Sequence, residues 1–363
     1  MLTIDISAVK ANWLKLQSIG AGVAVAGVIK ANAYGLGAEK VGRALYDVGC
    51  REFFLASIDE ALSARAFLPS DVTIYLLGGI GFGNESLLIN SKITPVLCTF
   101  TALSNWAKIN TALGTLSPSA IKINTGMNRF GLDLKEFEDL CSNADLLRAA
   151  NPCLIMSHLA CAEQPHHPLN TQQRDAFSGC VNSVKSIIPG LRFSLANSSG
   201  IFLGNKWYFD LLRPGAALYG INPTHGAPNP MSSVVRLSLP ITQVRKLDTA
   251  GTVGYGGTVT LPAGARIAVV AGGYADGIHR TLGLQPEAYI NGIMVNAAGR
   301  ISMDSAVFDV SAIDLPDDQL IGTKAEVINE SLSLDYLSKK NGLLGYEVLT
   351  SLGNRYQRCY VAD

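Results

Sequence analysis

Short β-rich runs alternate with helical patterns through the first two thirds of this 363-residue chain. Several of the runs, such as Thr73–Leu77, are apolar almost throughout, as is typical of parallel strands covered on both faces. Eight such runs favour a closed (β/α)8 TIM-type barrel over an open doubly wound sheet, which would show the same alternation. The predicted strands lie near residues 23–29, 52–57, 73–77, 93–97, 119–124, 153–158, 192–196 and 208–213, and the predicted helices near 38–48, 58–67, 102–112, 134–150 and 171–188.

The pattern changes after about residue 225, where prolines and glycines form a turn-rich junction. Short alternating segments follow, and only 334–341 has a helical pattern. The sequence therefore predicts an α/β protein with a barrel over 1–228 and a C-terminal mainly-β domain over 229–363, the boundary lying near 225–235. The predicted strands of the second domain are 234–239, 243–247, 266–270, 294–297, 305–310 and 324–328.

Charge and cysteine content narrow the function classes. The 29 basic and 29 acidic residues cancel, and neither a basic stripe for nucleic acid nor a polybasic run for lipid occurs in the sequence. No signal peptide or membrane-spanning apolar run is recognisable, so a cytoplasmic location is expected. The seven cysteines are scattered without a C-x-x-C pair, which favours free thiols. We expect no metal site.

Lys30 ends an apolar run and opens onto a loop rich in small residues. An amine at such a position, with its pKa lowered by burial, suits Schiff-base chemistry. Barrel active sites form at the C-terminal ends of strands, and loops seven and eight commonly bind phosphate there. Ser198, Arg213 and Gly215 lie in those two loops, so the pattern predicts a pyridoxal 5′-phosphate site.

Each of these residues also has a structural interpretation. Lys30 could be a solvated lysine at a strand end, and His158 a hydrogen-bonded structural histidine. Ser198 could cap the helix after the seventh strand. Arg213 could have no role other than to form an ion pair with a carboxylate.

Ordered motifs along nearly the whole chain resemble those of bacterial alanine racemases. The first motif, Lys30–Gly37, is similar to the cofactor-binding signature of that family. The further motifs are Lys122–Gly131, Ala196–Ser199, Arg213–Gly215, Gly254–Gly256, Gly273–Gly277 and Gly299–Asp304.

The resemblance implies an enzyme that binds pyridoxal 5′-phosphate and uses two bases on opposite faces of the substrate. Lys30 would carry the cofactor and act as one base, and Tyr255 from a partner chain would be the other. His158 would link Tyr255 towards Arg213, which would bond the pyridine nitrogen. The remaining cofactor contacts implied by the family are Tyr34, Asn197, Ser198, Gly215, Ala216 and Asn354.

The family also implies a homodimer with shared active sites, in which the β-domain of one chain covers the barrel of the other. Arg129, Met303 and Asp304 would bind the alanine carboxylate, and Lys122 is a candidate for carbamylation. Residues matching the corridor through which substrate enters are Glu163, Tyr274, Arg280 and Arg300.

This chain departs from the family pattern at several positions. Asn354 stands where a tyrosine often contacts the phosphate, Asn124 where an aspartate is frequent, and Ser194 where a histidine often supports the arginine. A smaller residue at 354 predicts a wider site. The expected activity is alanine racemisation that supplies D-alanine for peptidoglycan. The alternatives are a racemase acting on serine as well as alanine and a non-catalytic pyridoxal-phosphate carrier.

Overall fold

The computed structural model describes residues 1–81, 83–278 and 286–362. The chain separates into two units, which we call the barrel unit (Val9–Ser232) and the β unit (Met1–Ala8 with Ser233–Asp363). The strands are β1 Leu2–Asp5, β2 Ala24–Val25, β3 Gly27–Val28, β4 Glu52–Leu55, β5 Thr73–Leu76, β6 Ile93–Leu97, β7 Ser119–Lys122, β8 Pro152–Met156, β9 Arg192–Ser194, β10 Leu211–Leu212, β11 Val235–Lys246, β12 Gly251–Val253, β13 Val259–Leu261, β14 Arg266–Ala271, β15 Glu287–Ile290, β16 Ile293–Asn296, β17 Ser305–Asp309, β18 Lys324–Ile328 and β19 Arg358–Val361.

Helices occur between most of the barrel strands and at three places in the β unit. They are α1 Ile6–Ile19, α2 Lys30–Tyr34, α3 Ala38–Asp47, α4 Ile58–Phe67, α5 Glu85–Asn90, α6 Phe100–Leu113, α7 Leu134–Ser142, α8 Ala144–Ala149, α9 Pro168–Val184, α10 Ser198–Ile201, α11 Asp317–Ile321, α12 Leu334–Asn341 and α13 Gly345–Ser351. Of the described helices, none is long and apolar enough to span a bilayer.

The eight predicted barrel strands are confirmed. Strands β3 to β9 form one parallel sheet in sequence order, and β10 pairs in parallel with β2. Because β2 and β3 are two halves of the first strand, separated only by Ala26, this last pairing closes the barrel. The Ala26 N–H donates to the Leu212 carbonyl at 2.9 Å, and the Val28 N–H donates to the Pro214 carbonyl at 3.1 Å.

Inward-facing side chains from most of the strands fill the barrel. Phe54 stacks on Tyr75 with ring centroids 4.5 Å apart, and Phe54 is fully buried. Such interior packing is what makes a barrel of this size a solid core rather than a pore. The buried members of this cluster are Ala26, Val28, Phe54, Tyr75, Val96, Ala120, Leu154, Met156 and Leu211.

The β unit is built on the long strand β11. It pairs with β1 and β18 along its first half and with β14 along its second half, and β14 in turn pairs with β17. The prediction of two separate strands over 234–239 and 243–247 is wrong, because the chain continues through Pro240. This proline lies where β11 changes partner, beside a register shift between Ile241 and Gln243, and a strand tolerates proline at such a bulge.

Three further expectations require correction. Residues 1–8, assigned to the first domain from the sequence, belong to the β unit, since β1 pairs with β11 and β19. The single helix predicted over 134–150 is two helices, because Asn143 leaves helical geometry and its side chain accepts from the Leu146 N–H at 3.2 Å. The helix over 334–341 is confirmed, but α11 and α13 are additional helices of the β unit.

We predict that Phe54→Ala destabilises the protein by about 3–5 kcal/mol, because it removes a fully buried ring and leaves a cavity in the barrel. The control is Leu116→Ala, since Leu116 is 75% exposed and its truncation should cost less than about 0.5 kcal/mol. Urea denaturation followed by circular dichroism measures both. Equal stability losses in the two variants would contradict the packing described for the barrel interior.

Candidate active site

The short element α2, which begins at Lys30 after the first barrel strand, is a left-handed turn over its last four residues. Ala31, Asn32, Ala33 and Tyr34 all have φ between 52° and 55°. L-residues pay roughly 1–2 kcal/mol each for this geometry, so the surrounding structure must hold it in place. The Ala33 N–H donates to the Ile29 carbonyl at 2.8 Å, and the Asn32 side chain accepts from the Ala38 N–H at 2.8 Å. These hydrogen bonds therefore fix the backbone conformation next to Lys30.

Arg213 is buried at the end of the last barrel strand and is held by three acceptors. Its Nε donates to Ser194 Oγ at 2.7 Å, and its Nη2 donates to the Leu195 carbonyl at 3.2 Å and to the Ser157 carbonyl. None of these acceptors is a carboxylate, so the interpretation of Arg213 as half of an ion pair is wrong. Ser194, at the position where a histidine is frequent in the resembling family, orients the guanidinium directly.

A buried polar network beneath Arg213 was not found from the sequence. Ser157 Oγ lies 2.7 Å from Thr125 Oγ1 and donates to the Ile123 carbonyl at 2.8 Å. Gln173 on α9 donates to the His158 carbonyl at 2.8 Å. The network fixes the backbone at Ser157, whose carbonyl accepts a hydrogen bond from Arg213. Buried hydroxyls and amides on apolar strands have no distinguishing sequence pattern, so only the structure reveals them.

Ser198 forms a polar cradle with the loop after the last strand. Its Oγ accepts from the N–H groups of Gly215 at 3.0 Å and Ala217 at 3.2 Å. Ala216–Tyr219 is a 3-10 turn whose start therefore directs backbone N–H groups towards Ser198. Asn197, and not Ser198, caps α10, since its side chain accepts from the Gly200 N–H at 2.9 Å. The structural interpretation of Ser198 as a cap is therefore wrong.

The residues of the cradle fit the phosphate end of pyridoxal 5′-phosphate. A Cβ at Gly215 would lie only 2.4 Å from Tyr34 Oη, so glycine is needed to keep this space open. A serine hydroxyl, a tyrosine hydroxyl and the N–H groups at a turn start are the donors that a phosphate requires. Lys30 stands two residues beyond β3, at the same end of the barrel.

Positive charge accumulates at this end of the barrel. Burial lowers the pKa of Lys122 to about 8, with the charge of Arg213 as the next cause. Burial and the charge of Arg129 lower the pKa of Lys30, while Glu60 opposes the shift. The pKa of His158 falls well below its usual value through burial and then the charges of Arg213, Lys122, Arg129 and Lys30. His158 is therefore neutral at pH 7, and the cations favour binding of anionic groups.

The loop that carries Arg129 is organised by Asn124. The Asn124 side-chain oxygen accepts from the N–H groups of Gly126 at 3.2 Å and Asn128 at 2.9 Å. An amide thus stabilises the loop at the position where aspartate is frequent. Arg129 itself is exposed, and Glu163 is half-buried on the loop after β8.

Arg355 joins three loops of the β unit. Its Nε and Nη2 each donate to the Asp276 carboxylate at 2.7 Å, and its Nη1 donates to Asp304 Oδ1 at 2.7 Å. The Tyr274 N–H donates to the Ser302 carbonyl at 3.1 Å. The Met303 carbonyl accepts from the Ala275 N–H at 3.1 Å, so the backbone at Met303 is held within its own unit. Sequence reasoning missed Arg355, although the motif ending at Asp304 indicated one of its partners.

The other predicted residues of the β unit lie at its surface. Tyr255 is 71% exposed and Met303 is 53% exposed, and Asn354 is also exposed. The Gly254–Gly256 loop lies against Arg300, since a Cβ at Gly256 would be 3.3 Å from the Arg300 side chain. Tyr274 is half-exposed, and Arg280 lies outside the described residues.

Comparison with known proteins decides the family. Models of the alanine racemase N-terminal and C-terminal domains match residues 4–223 and 234–360. The chain belongs to the alanine racemase family. Among curated proteins, it is 45% identical to the alanine racemase of Rhodospirillum rubrum, over 99% of this chain and 95% of that one. The catabolic alanine racemase of Agrobacterium fabrum is 40% identical, over 99% and 92% of the two chains.

Solved structures of this family agree in fold over the full length. The alanine racemase of Bartonella henselae with covalently bound pyridoxal phosphate is 38% identical, with a TM-score of 0.93 and 99% of both chains covered. The alanine racemase of Streptomyces coelicolor is 27% identical, with a TM-score of 0.92 and coverage of 100% and 98%. The predicted α/β class, with a barrel followed by a mainly-β domain, is thereby confirmed.

We predict that Gly215→Ala weakens binding of pyridoxal 5′-phosphate by roughly 10- to 100-fold, because the added methyl group displaces a donor to a charged group. Titration of the apoprotein, followed by cofactor absorbance, measures the affinity. The matched control is Gly179→Ala on α9, where a Cβ meets nothing within 4 Å. Equal affinities in the two variants would rule out the cradle as the phosphate site.

We predict that in Arg355→Met the free energy of unfolding decreases less steeply with falling pH, in the acid range, than in the unmodified protein. Burial alone would raise the pKa of Asp276, but hydrogen bonds from Arg355 and Gly273 hold it below its usual value. A depressed pKa in the folded state adds stability above the unfolded-state pKa, near 4, and this stability is lost as the pH falls through the folded-state pKa.

Urea denaturation between about pH 3 and pH 6 tests this difference in slope. The control is Arg236→Met, because Arg236 pairs with Glu330 on the surface of the same unit, where such pairs contribute little. If the stability of Arg355→Met fell with pH as steeply as that of the unmodified protein, Arg355 would not control this ionisation.

Proposed function

We propose that this protein is an alanine racemase, an isomerase that interconverts L- and D-alanine with pyridoxal 5′-phosphate. The proposal rests on one observation above all: the barrel carries a lysine of lowered pKa and a phosphate cradle at the same end. Full-length similarity to proteins named alanine racemase supports the same conclusion.

Lys30 is the residue that holds the cofactor and serves as one base. A lysine must be neutral to form a bond to a carbonyl or to take up a proton, and its ordinary pKa near 10.4 is unfavourable for this at neutral pH. Burial and Arg129 lower the pKa of Lys30, which increases its neutral fraction. The cofactor, when bound, supplies the electron-accepting ring that acidifies the substrate α-proton.

Arg213 and the cradle hold the cofactor at its two ends. Ser198, Tyr34 and the backbone at Gly215 and Ala216 would bind phosphate, and we assign Asn197 and Asn354 to the cofactor as well. Arg213 would hydrogen-bond the ring nitrogen. A guanidinium stays protonated at neutral pH and would not give that nitrogen a proton, which would favour rapid return of a proton to the substrate α-carbon.

Tyr255 is the second base and acts on the opposite face of the α-carbon. A tyrosine hydroxyl ordinarily has a pKa near 10 and needs a polar partner to act as a base, and the neutral His158 ring can accept a hydrogen bond from it. We place Tyr255 in the site of a partner chain, so that the enzyme is a homodimer with shared sites. Arg129 with the Met303 backbone binds the substrate carboxylate.

Several finer assignments belong to the same proposal. Lys122, with a pKa of about 8, has a neutral fraction able to react with carbon dioxide, so carbamylation is feasible. We assign Glu163, Tyr274 and Arg300 to the substrate corridor. The enzyme is cytoplasmic, and its D-alanine serves peptidoglycan synthesis.

The shared site predicts complementation between two inactive variants. Lys30→Ala should lose cofactor attachment and turnover, while Tyr255→Phe should retain the cofactor and lose roughly 10²–10⁴-fold in kcat. After subunit exchange of equal amounts, about a quarter of the sites combine intact Lys30 and Tyr255, so activity should recover towards that fraction of wild type.

Racemisation measured by chiral chromatography gives both results. The control is a mixture of Lys30→Ala with itself after the same exchange procedure, which should stay inactive. No recovery despite verified exchange would exclude the shared site. Full activity of Lys30→Ala alone would exclude the assignment of Lys30, and full activity of Tyr255→Phe would favour a site without a second base.

The asparagine at position 354 supports a second candidate function, a racemase that accepts serine as well as alanine. The side chain is exposed and smaller than the tyrosine frequent at this position in the family, which allows a larger substrate side chain. Comparing kcat/KM for L-alanine and L-serine separates the two activities: an alanine racemase should favour alanine by about 10²-fold, and a broader racemase should show nearly equal values.

A further inference from the structure

Glu60 connects the second barrel loop to the turn that follows Lys30. It lies in the first turn of α4, where it forms a capping box with Ser57. Its Oε2 accepts from the N–H groups of Ala56 at 2.9 Å and Ser57 at 3.3 Å. These contacts satisfy the helix start, and an ordinary capping glutamate needs nothing more.

The second carboxylate oxygen of Glu60 serves a different segment. Oε1 accepts from the Ala31 N–H at 2.6 Å, a distance that indicates a strong charge-assisted hydrogen bond. Ala31 is the residue directly after Lys30 and the first of the four left-handed residues. The Glu60 carboxylate thus accepts a hydrogen bond from the first residue of the strained turn, directly after Lys30.

Glu60 also differs in charge from the other groups that act on Lys30. Arg129 lowers the pKa of Lys30, whereas Glu60 raises it, and burial is the largest influence. Charged or titratable groups coupled to Lys30 come from the β7 end, the loops after β7 and β8, and α4. They are Lys122, Arg129, His158 and Glu60. Of these, only Glu60 carries negative charge.

We propose that Glu60 is a positioning residue for Lys30, holding the left-handed turn through Ala31 and balancing the cations around the amine. The inference rests on the proposed function only for the role of Lys30. A carboxylate at this place has two effects that separate on substitution. The Oε1 oxygen of Glu60 fixes the backbone of the left-handed turn. The negative charge of Glu60 determines how readily the Lys30 amine loses a proton.

Three substitutions distinguish these effects. Glu60→Gln keeps the length and one accepting oxygen but loses the charge, so either Ala31 or the helix start loses its acceptor. Glu60→Asp keeps the charge but is one methylene too short to reach both partners. The matched control is Asp59→Asn, which removes a charge from an exposed residue in the same helical turn.

The first measurement is the titration of Lys30 in the apoprotein. Competitive acetylation from about pH 6 to pH 11, read by mass spectrometry of the Lys30 peptide, gives the pH of half-maximal reactivity. We expect this midpoint to fall by at least about 0.5 pH unit in Glu60→Gln and to stay unchanged in Glu60→Asp and Asp59→Asn. An unchanged midpoint in Glu60→Gln would overturn the charge-balancing role, since a purely structural residue would not move it.

The second measurement is the affinity of each apoprotein for pyridoxal 5′-phosphate. We expect Glu60→Gln and Glu60→Asp to bind it roughly tenfold more weakly, and Asp59→Asn to bind it normally. Wild-type affinity in Glu60→Asp would overturn the geometric role, and this variant decides the matter if Glu60→Gln does not fold. Neither readout requires racemase activity, so failure of the Glu60 proposal is distinct from failure of the proposed function, which Lys30→Ala tests.

Discussion

The pairing of β10 with β2 is the constraint on which the site depends. It joins residues near 25 to residues near 212 and closes a barrel that is otherwise a curled parallel sheet. The Val28 N–H reaches the Pro214 carbonyl, and Tyr219 Oη donates to the Val28 carbonyl at 2.9 Å. Closure therefore sets the loop of Lys30 beside the loop of Arg213 and Gly215. Without it, the lysine and the phosphate cradle would lie on opposite edges of an open sheet.

The closed barrel then concentrates positive charge that the interior could not otherwise tolerate. Arg213 is 5% exposed and Lys122 is 6% exposed, and neither forms an ion pair among the described residues. Buried cations are costly unless hydrogen bonds or a bound anion compensate them. Ser194 and two backbone carbonyls compensate Arg213 in part. We propose that the cofactor phosphate and the substrate carboxylate complete the balance, so that these buried cations favour binding of both groups.

The sequence revealed elements whose residues carry a periodic or local signal. Apolar runs such as Thr73–Leu77 indicated the barrel strands, and the glycines and serines of loops seven and eight indicated the cradle. The pairing of β1 with the β unit could not be predicted, because four residues of strand pattern do not specify a partner 230 residues away. The left-handed turn after Lys30 was also hidden, since alanine and asparagine favour no such run of residues. Arg355 and Glu60 act through contacts between loops distant in sequence, and only the folded chain shows them.

The account's central claim is that half-buried Lys30, and not the more deeply buried Lys122, holds the cofactor. Both amines have a lowered pKa, so titration alone does not choose between them. Borohydride reduction of the holoprotein fixes the cofactor to the amine that carries it, and mass spectrometry of the peptides then identifies the modified residue. The account predicts one pyridoxyl group per chain, on Lys30. Modification of Lys122 in place of Lys30 would contradict it.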